Sequence, residues 1–329
     1  EEGFSIMVFP EGTRSADGEI HRFHKGAFKL AEELKLDITP ILIFGNGQIV
    51  SKRQPLHIKT GIIVNKVLPV IAHDDKSMGT DYRSRAKNIQ TLMRSEFEKL
   101  RQQYDTVHNP YYYCELIRNY TYKDPQLEWY MRVKVRMENC YEFFDNIIRR
   151  DARITDIGCG YAPLPLMLGL RSSNRTILGI DYDAEKIAVA ANSHLVERIR
   201  EMGGVIDFIS GNALDVALPP SDVFVINDML HYLPYDKQTT LLERCIESLT
   251  EGGQIIMRDG DTDNVKHSTT RLTEVFSTRL LGFNKTDGEL HFLSTSRVKA
   301  FAERHDLSVE LHTLERNTSN TIYILRRRG

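Results

Sequence analysis

The chain has little cysteine, a single tryptophan, almost no net charge and no long apolar run. Its four cysteines, Cys114, Cys140, Cys159 and Cys245, are widely spaced and include no CxxC pair. That argues against a disulfide framework and a thiolate metal site, and a reducing, cytoplasmic compartment is the simplest setting. The formal net charge of -2 removes the global electrostatic case for a nucleic-acid partner, which usually carries a basic patch or stripe. No stretch approaches the roughly 20 apolar residues that span a bilayer, and no secretory signal is visible. The first residue is Glu1 rather than methionine, which suggests a fragment of a longer protein.

What is present fits an ordinary globular chain. Hydrophobic residues make up 41% and charged residues 27% of 329 positions. That length suits about two domains of roughly 100–200 residues. The first part runs over residues 1–104. Phe4 to Phe9 predicts a buried strand ended by Pro10-Glu11-Gly12, and Lys25 to Leu36 has the apolar spacing of a helix. Ile38 to Phe44 predicts another buried strand, His57 to Leu68 one or two more, and Arg83 to Tyr104 a long amphipathic helix. This order indicates α/β. Residues 105–112 are polar, include Pro110, and are taken as a linker. From 113 to 329 strands are expected at 153–157, 176–181, 205–209, 222–227, 253–258, 307–314 and 320–326. Helices are expected between the first five, and the last two should form a hairpin.

The strand 153–157 runs into Gly158-Cys159-Gly160 and then an apolar helical stretch from Pro163 to Leu170. Glycines at a strand-to-helix turn let backbone approach a ligand without Cβ clashes. The helix start offers free N–H groups, which suit a carboxylate as well as a phosphate. The next strand ends in Asp181, just over twenty residues past the glycine loop, where a carboxylate can accept from both hydroxyls of a ribose. A surface helix-capping role is the bland alternative, and Asp183 serves that role better.

In order, Asp156-Ile157-Gly158-Cys159-Gly160, Leu178 to Asp181, Gly211-Asn212-Ala213, Asp222 to Leu233 and Leu249 to Met257 resemble the successive motifs of class I S-adenosylmethionine-dependent methyltransferases. The resemblance covers about residues 113–329. It implies a Rossmann-like, seven-stranded sheet with the last strand antiparallel, and S-adenosylmethionine as cofactor. It also implies cofactor contacts from Asp156, Gly158, Cys159, Gly160, Asp181, Tyr182, Asn212, Ala213 and Asn227. Two positions depart from the pattern: Ala162 replaces a third loop glycine, and Asn212 stands where aspartate is common at the adenine. A nicotinamide-dependent oxidoreductase is the competing reading of the glycine loop, but the loop lacks the full GxGxxG spacing.

Methyl transfer from a sulfonium needs alignment of donor and acceptor, and an oxygen or nitrogen acceptor also needs a general base. His231 and Asp228 follow the fourth strand and should face the crevice beyond the strand ends. They are the catalytic candidates; the alternative is that residues 230–233 pack under the cofactor. Arg258 and Asp259 end the next strand and form either a structural or a catalytic pair. The tyrosine-rich segment 111–130 could stack on an aromatic acceptor or face the sulfonium, or could pack on the sheet. Gly282 to Leu293 is a candidate substrate loop.

Near the start, Phe9-Pro10-Glu11-Gly12-Thr13-Arg14-Ser15 resembles the acceptor-binding motif of the lysophospholipid (glycerol-3-phosphate) acyltransferase family. Arg22 to Phe28, centred on Lys25, and Thr39-Pro40-Ile41 are similar to its later motifs. The resemblance implies an acyl-acceptor site of Glu11, Gly12, Thr13, Arg14 and Lys25, in which Arg14 and Lys25 hold a phosphate, Arg by bidentate contacts. The family's HxxxxD motif is not found before Phe9, so the truncated domain should be unable to transfer acyl groups, and the missing part is expected ahead of Glu1. An acyltransferase ahead of a methyltransferase is similar to bacterial multifunctional proteins with an upstream lipid-transporter region. That similarity implies a lipid acceptor at the inner membrane face for the first domain and an aromatic or polyketide-like small molecule for the second. The expected activity is methyl transfer. Its alternative is acyl transfer as the main activity of the full protein, with the methyltransferase-like domain as a binding module.

Overall fold

The computed structural model describes residues 3, 5–15, 18–50, 52, 58–138, 140–263, 290–314 and 320–328. The chain divides into two compact units, Glu1–Glu115 and Leu116–Gly329.

The first unit carries α1 (Gly26–Glu33), β1 (Ile41–Phe44), α2 (Asn46–Ile49), β2 (Val64–Val67) and α3 (Tyr82–Tyr104). Strands β1 and β2 pair antiparallel, Ile41 opposite Val67 and Phe44 opposite Val64. Their inner residues Leu42 and Phe44 join Leu68 and Leu100 in one core, while Phe23, Phe28, Ile71, Ala86 and Ile89 form a second. Helix α3 starts where Asp81 accepts from the Arg83 and Ser84 N–H groups and the Ser84 hydroxyl accepts from the Asp81 N–H. That reciprocal cap satisfies donors the helix itself cannot. Two expectations fail here. Ile6 to Phe9 is not a strand and lies exposed, because no strand among the described residues pairs with it. The 38–44 strand is half-buried rather than buried, since Ile41 and Ile43 point outward from a two-stranded ribbon.

Helix α4 (Pro110–Arg118) spans the division. The second unit continues with a 3-10 turn at Asn119–Tyr122, then α5 (Pro125–Met137), α6 (Cys140–Ile147), β3 (Arg153–Ile157), α7 (Pro163–Arg171), β4 (Thr176–Asp181), α8 (Ala184–Ala191), α9 (His194–Glu201), β5 (Val205–Ser210) and β6 (Ser221–Asn227). A 3-10 turn at Leu230–Tyr232, α10 (Tyr235–Ser248), β7 (Leu249–Gly260), α11 (Thr295–Arg304), β8 (Leu307–His312) and β9 (Asn320–Arg327) complete it.

The seven-stranded sheet has the order β5-β4-β3-β6-β7-β9-β8. Strands β3 to β7 are parallel, and β9 runs antiparallel to both β7 and β8. This is the α/β, Rossmann-like architecture with an antiparallel last strand that the motif order implies. Successive strands step outward from β3 to β5, then reverse from β6 to β7. The reversal places a crevice beyond the carboxyl ends of β3 and β6. Both strands are largely buried on both faces, as strands of a covered parallel sheet are. One expected helix is missing: residues 211–220 between β5 and β6 are turn and extended chain. Ten residues that include Pro219 and Pro220 cannot complete a helical crossover. No helix among the described residues is long and apolar enough to cross a membrane.

Below the amino ends of the strands, one buried carboxylate organises three cations. Asp145 on α6 accepts from Arg150 at 2.7 Å, Arg171 at 2.9 Å and Arg175 at 2.8 Å. Arg175 is itself buried and also donates to the carbonyls of Asp145, Ile148, Arg149 and Leu168. Burial alone pushes the Asp145 carboxyl up, and the guanidinium groups more than reverse it, so it sits below its ordinary value. Its contribution to stability is therefore present above the ordinary carboxyl range and lost as pH falls below it. Arg175→Leu should lower unfolding stability by about 3–5 kcal/mol, the usual cost of breaking a buried pair. Urea denaturation checks this, and an unchanged midpoint would mean that Arg150 and Arg171 suffice.

Candidate functional site

Strand β3 stops at Ile157 because the next residues need backbone conformations a strand does not have. Gly158 and Gly160 have φ of +75° and +56°, and Ala162 has +60°. The Gly158 and Cys159 N–H groups reach back to the Ile180 carbonyl at 2.7 and 3.2 Å. Gly158 is required by close approach as well: a Cβ there would lie 2.4 Å from Cγ of Met229. At Gly160 such a Cβ would meet, among the described residues beyond its chain neighbours, the Lys186 side chain 4.0 Å away. The loop thus leaves its outer face open at Gly160 and is pressed against the 228–231 turn at Gly158.

Asp181 ends β4 beside this loop. One carboxylate oxygen accepts the Gly160 N–H at 2.8 Å and the other accepts the Asp183 N–H at 2.9 Å. Asp183 caps α8 by accepting from the Glu185 and Lys186 N–H groups, so the capping role falls to it rather than to Asp181. Asp156, near the end of β3, is also buried. Burial, and then the nearby Asp181 charge, push its carboxyl up to about 8. Two close, buried carboxylates suit a cationic ligand such as a sulfonium carrying an ammonium group. The donor set therefore fits S-adenosylmethionine.

The remaining cofactor candidates are spread around the same strand ends. Tyr182 follows Asp181 and is exposed. The Gly211 N–H donates to the Asp181 carbonyl at 2.9 Å, which brings the 211–213 segment alongside. Asn212 is exposed, and its side chain is engaged locally: Oδ1 accepts the Leu214 N–H at 3.1 Å and Nδ2 donates to Asp215 at 2.9 Å. Ala213 packs on the core. Asn227, at the end of β6, has a buried Oδ1 with no hydrogen-bond partner among the described residues. Cys159 is buried, and desolvation holds its thiol well above the ordinary range.

The turn after β6 carries both catalytic candidates. Asp228 has φ +53°, its N–H donates to the Arg258 carbonyl at 2.8 Å, and its carboxylate forms an ion pair with the Arg258 guanidinium. His231 Nδ1 lies 2.7 Å from Asp259, which also accepts the His231 backbone N–H at 3.0 Å. Both side chains are about 1% exposed, and the Phe292 ring stacks on the imidazole at 4.9 Å. Arg258 and Asp259, expected as a pair, each take a partner on the turn after β6, Asp228 and His231 respectively. Adjacent strand residues point to opposite faces, so each takes a different partner on the 228–231 turn. Asp259 as the partner of His231 was missed for that reason. Of the candidate substrate loop, 282–289 lies outside the described residues.

In the tyrosine segment Tyr120 is buried, whereas Tyr122 and Trp129 are exposed. Tyr120 and Tyr122 donate to the carbonyls of Tyr161 and Val189 at 2.9 and 2.7 Å.

In the first unit, Glu11 accepts the His21 N–H at 2.9 Å, and the His24 N–H donates to the Pro10 carbonyl at 2.7 Å. Gly12 turns with φ +71° beside the His24 ring. These bonds bring Glu11, Gly12, Thr13 and Arg14 next to Lys25, which sits at the start of α1. Thr13, Arg14 and Lys25 are exposed. Lys52, which carries no motif signal, donates to the Thr13 hydroxyl at 3.2 Å.

Residues 127–291, just over half of the chain, match the O-methyltransferase domain family, and residues 1–63 match the Acyltransferase family. The chain is similar to a 1-acyl-sn-glycerol-3-phosphate acyltransferase of Chlamydomonas reinhardtii, 37% identical over 71 residues that cover 21% of each protein. It is also similar to a carboxy-S-adenosyl-L-methionine synthase of Mannheimia succiniciproducens, 22% identical over 117 residues, 35% of this chain and 47% of that one. It therefore spans less than half the length of either relative. Human N-acetylserotonin methyltransferase, solved in complex with SAM, aligns at 16% identity over 62% of this chain and 56% of its own, with a TM-score of 0.46.

Asp156 generates a pH prediction. Its ordinary value is 3.8 and its folded value is about 8, so the fold holds an extra proton between the two. Stability without cofactor should then decline as pH rises through that window and level off above it. Asp156→Asn should remove this slope, and its advantage over the wild-type protein should be nil near pH 4 and largest near pH 8. Unfolding midpoints across that range check it; parallel profiles for the two proteins would contradict it.

Proposed function

We propose, for a chain that belongs to the O-methyltransferase domain family, that the second unit transfers a methyl group from S-adenosylmethionine to the hydroxyl of an aromatic or polyketide-like small molecule. The cofactor, when bound, supplies an electrophilic methyl on a sulfonium. The observation that carries the reading is that the glycine loop and the His231–Asp259 pair meet at one crevice, with Met229 of the histidine turn packed on Gly158.

In this reading Asp181 accepts from the ribose hydroxyls, and the 158–160 backbone with Asp156 and Cys159 lies along the methionine portion. Tyr182, Asn212, Ala213 and Asn227 line the adenosine side. His231 removes the acceptor proton while Asp259 fixes the tautomer through Nδ1 and stabilises the imidazolium that forms. Asp228, neutralised by Arg258, holds the turn beside it. Titration calorimetry with S-adenosylmethionine should give micromolar binding that falls at least tenfold in Asp181→Ala, about 1.4 kcal/mol. His231→Ala should keep cofactor affinity within twofold and lose about 10²–10⁴ in kcat on phenolic acceptors. Absence of binding by the unaltered chain would reject the activity.

For the first unit we propose an acyl-acceptor site in which Arg14 and Lys25 hold the phosphate of a glycerolipid, with Glu11, Gly12 and Thr13 shaping the turn. The exposed apolar residues Ile6 to Phe9, next to that turn, support a lipid surface at the inner membrane face. The resemblance to multifunctional bacterial proteins supports an upstream transporter region in the natural chain. Arg14→Ala should weaken glycerol 3-phosphate binding at least fivefold, read by calorimetry; equal affinity would remove Arg14 from the site. A second reading makes the methyltransferase-like unit a binding module, favoured by the local engagement of Asn212. Turnover of any phenolic acceptor would reject it.

A further inference from the structure

We infer that Tyr120 is a positioning residue for the cofactor loop: its hydroxyl holds the peptide that closes the turn from which residues 158–160 face the cofactor. This rests on the reading of that loop as the S-adenosylmethionine site.

Tyr120 lies in the 3-10 turn at Asn119–Tyr122, well ahead of the sheet, and is fully buried. Its hydroxyl donates to the carbonyl of Tyr161 at 2.9 Å. That carbonyl belongs to the peptide joining Tyr161 to Ala162, and Ala162 has φ +60°. Glycine adopts this region freely. An alanine there is strained by its Cβ, so something nearby must hold it. A peptide is planar, so the direction of the Tyr161 carbonyl and that of the Ala162 N–H are a single variable. The Ala162 N–H donates to the Cys159 carbonyl at 2.8 Å, while the carbonyl on the opposite edge takes the Tyr120 hydroxyl. The two bonds grip one peptide from both sides. Without the hydroxyl the carbonyl loses a buried partner, and Ala162 is free to relax toward the right-handed region, loosening the bond from its N–H to the Cys159 carbonyl that closes the turn. Desolvation keeps the Tyr120 phenol protonated far above the ordinary range, so it remains a donor.

Tyr122 supplies the control. Its hydroxyl donates to the Val189 carbonyl on α8 at 2.7 Å, and Lys123 pairs with Glu185 on the same helix at 3.2 Å. These bonds anchor the same segment without touching the loop. S-Adenosylmethionine should be titrated into the unaltered chain, Tyr120→Phe and Tyr122→Phe, with amide exchange followed at residues 158–162 with and without cofactor. Tyr120→Phe should raise the cofactor Kd at least fivefold and speed exchange at Gly160 and Ala162, with kcat at saturating cofactor within twofold. Tyr122→Phe should leave Kd within twofold even if it lowers the melting temperature as much. Equal weakening by both variants, or by neither while the unaltered chain binds, would overturn the inference. If the unaltered chain does not bind, the cofactor reading fails, and unchanged exchange in cofactor-free Tyr120→Phe separately removes the hold on the turn.

Discussion

Asp181 is the constraint on which the site depends. Its two carboxylate oxygens take the N–H groups of Gly160 and Asp183, so one side chain fixes both the turn after β3 and the entry to α8. Hydrogen bonds from backbone donors to an ionised acceptor are worth more than neutral ones, and these are sheltered from water. The same residue donates geometry in a third direction, since its backbone carbonyl accepts the Gly211 N–H. Three loops from three strand ends are thereby indexed to one residue. A ligand that touches the glycine loop, residue 182 and the 211–213 segment meets surfaces whose spacing Asp181 has already set. Such preorganisation spares the ordering cost a floppy site would carry on binding.

The other half of the crevice is built on alternation along β7. Arg258 and Asp259 are neighbours in sequence but face opposite ways, and the 228–231 turn folds over the strand end so that each finds a partner. Arg258 neutralises Asp228, whose left-handed backbone is tolerated because its own N–H is bonded to the Arg258 carbonyl. Asp259 takes both the backbone and the ring of His231. A buried imidazole held by a carboxylate on one nitrogen has its orientation decided before any acceptor arrives. The turn is also the roof of the glycine loop, since only a residue without Cβ at 158 leaves room for Met229.

Much of this was legible in the sequence, and what was not has a physical cause. Gly158, Gly160 and Asp181 announce themselves because each needs a residue type that few others can replace, at a spacing fixed by strand and helix lengths. The sheet with its antiparallel last strand followed from the order of the motifs. Partnerships set by which way a side chain faces were not legible: Asp259 was paired with its neighbour Arg258, although a strand sends them apart. Residues 6–9 look like a strand by composition, but a strand needs a partner, and composition cannot supply one. Ten residues between β5 and β6 were assigned a helix by analogy with the other crossovers, against the two prolines they contain. The Tyr120 contact was illegible for a different reason, since it joins positions 41 residues apart whose roles are visible only in three dimensions.

Three buried carboxylates show how the fold separates support from chemistry. Asp145, Asp156 and Asp259 are all under 5% exposed, so each faces the same desolvation problem, and each solves it differently. Asp145 is surrounded by three guanidinium groups and held below its ordinary range, and it has nothing left to offer a ligand. Asp259 is committed to His231, accepting its backbone N–H and lying 2.7 Å from its Nδ1. Asp156 has neither: burial and then the neighbouring Asp181 raise it to about 8, well above the ordinary carboxyl range. A structural carboxylate left in that condition costs stability, because a well-packed neutral side chain would serve the core better. Asp156 occupies the penultimate position of β3, two residues before Gly158 and beside the carboxylate that indexes the loop, so the fold carries an acid raised by burial and a like charge at the strand end from which the loop starts.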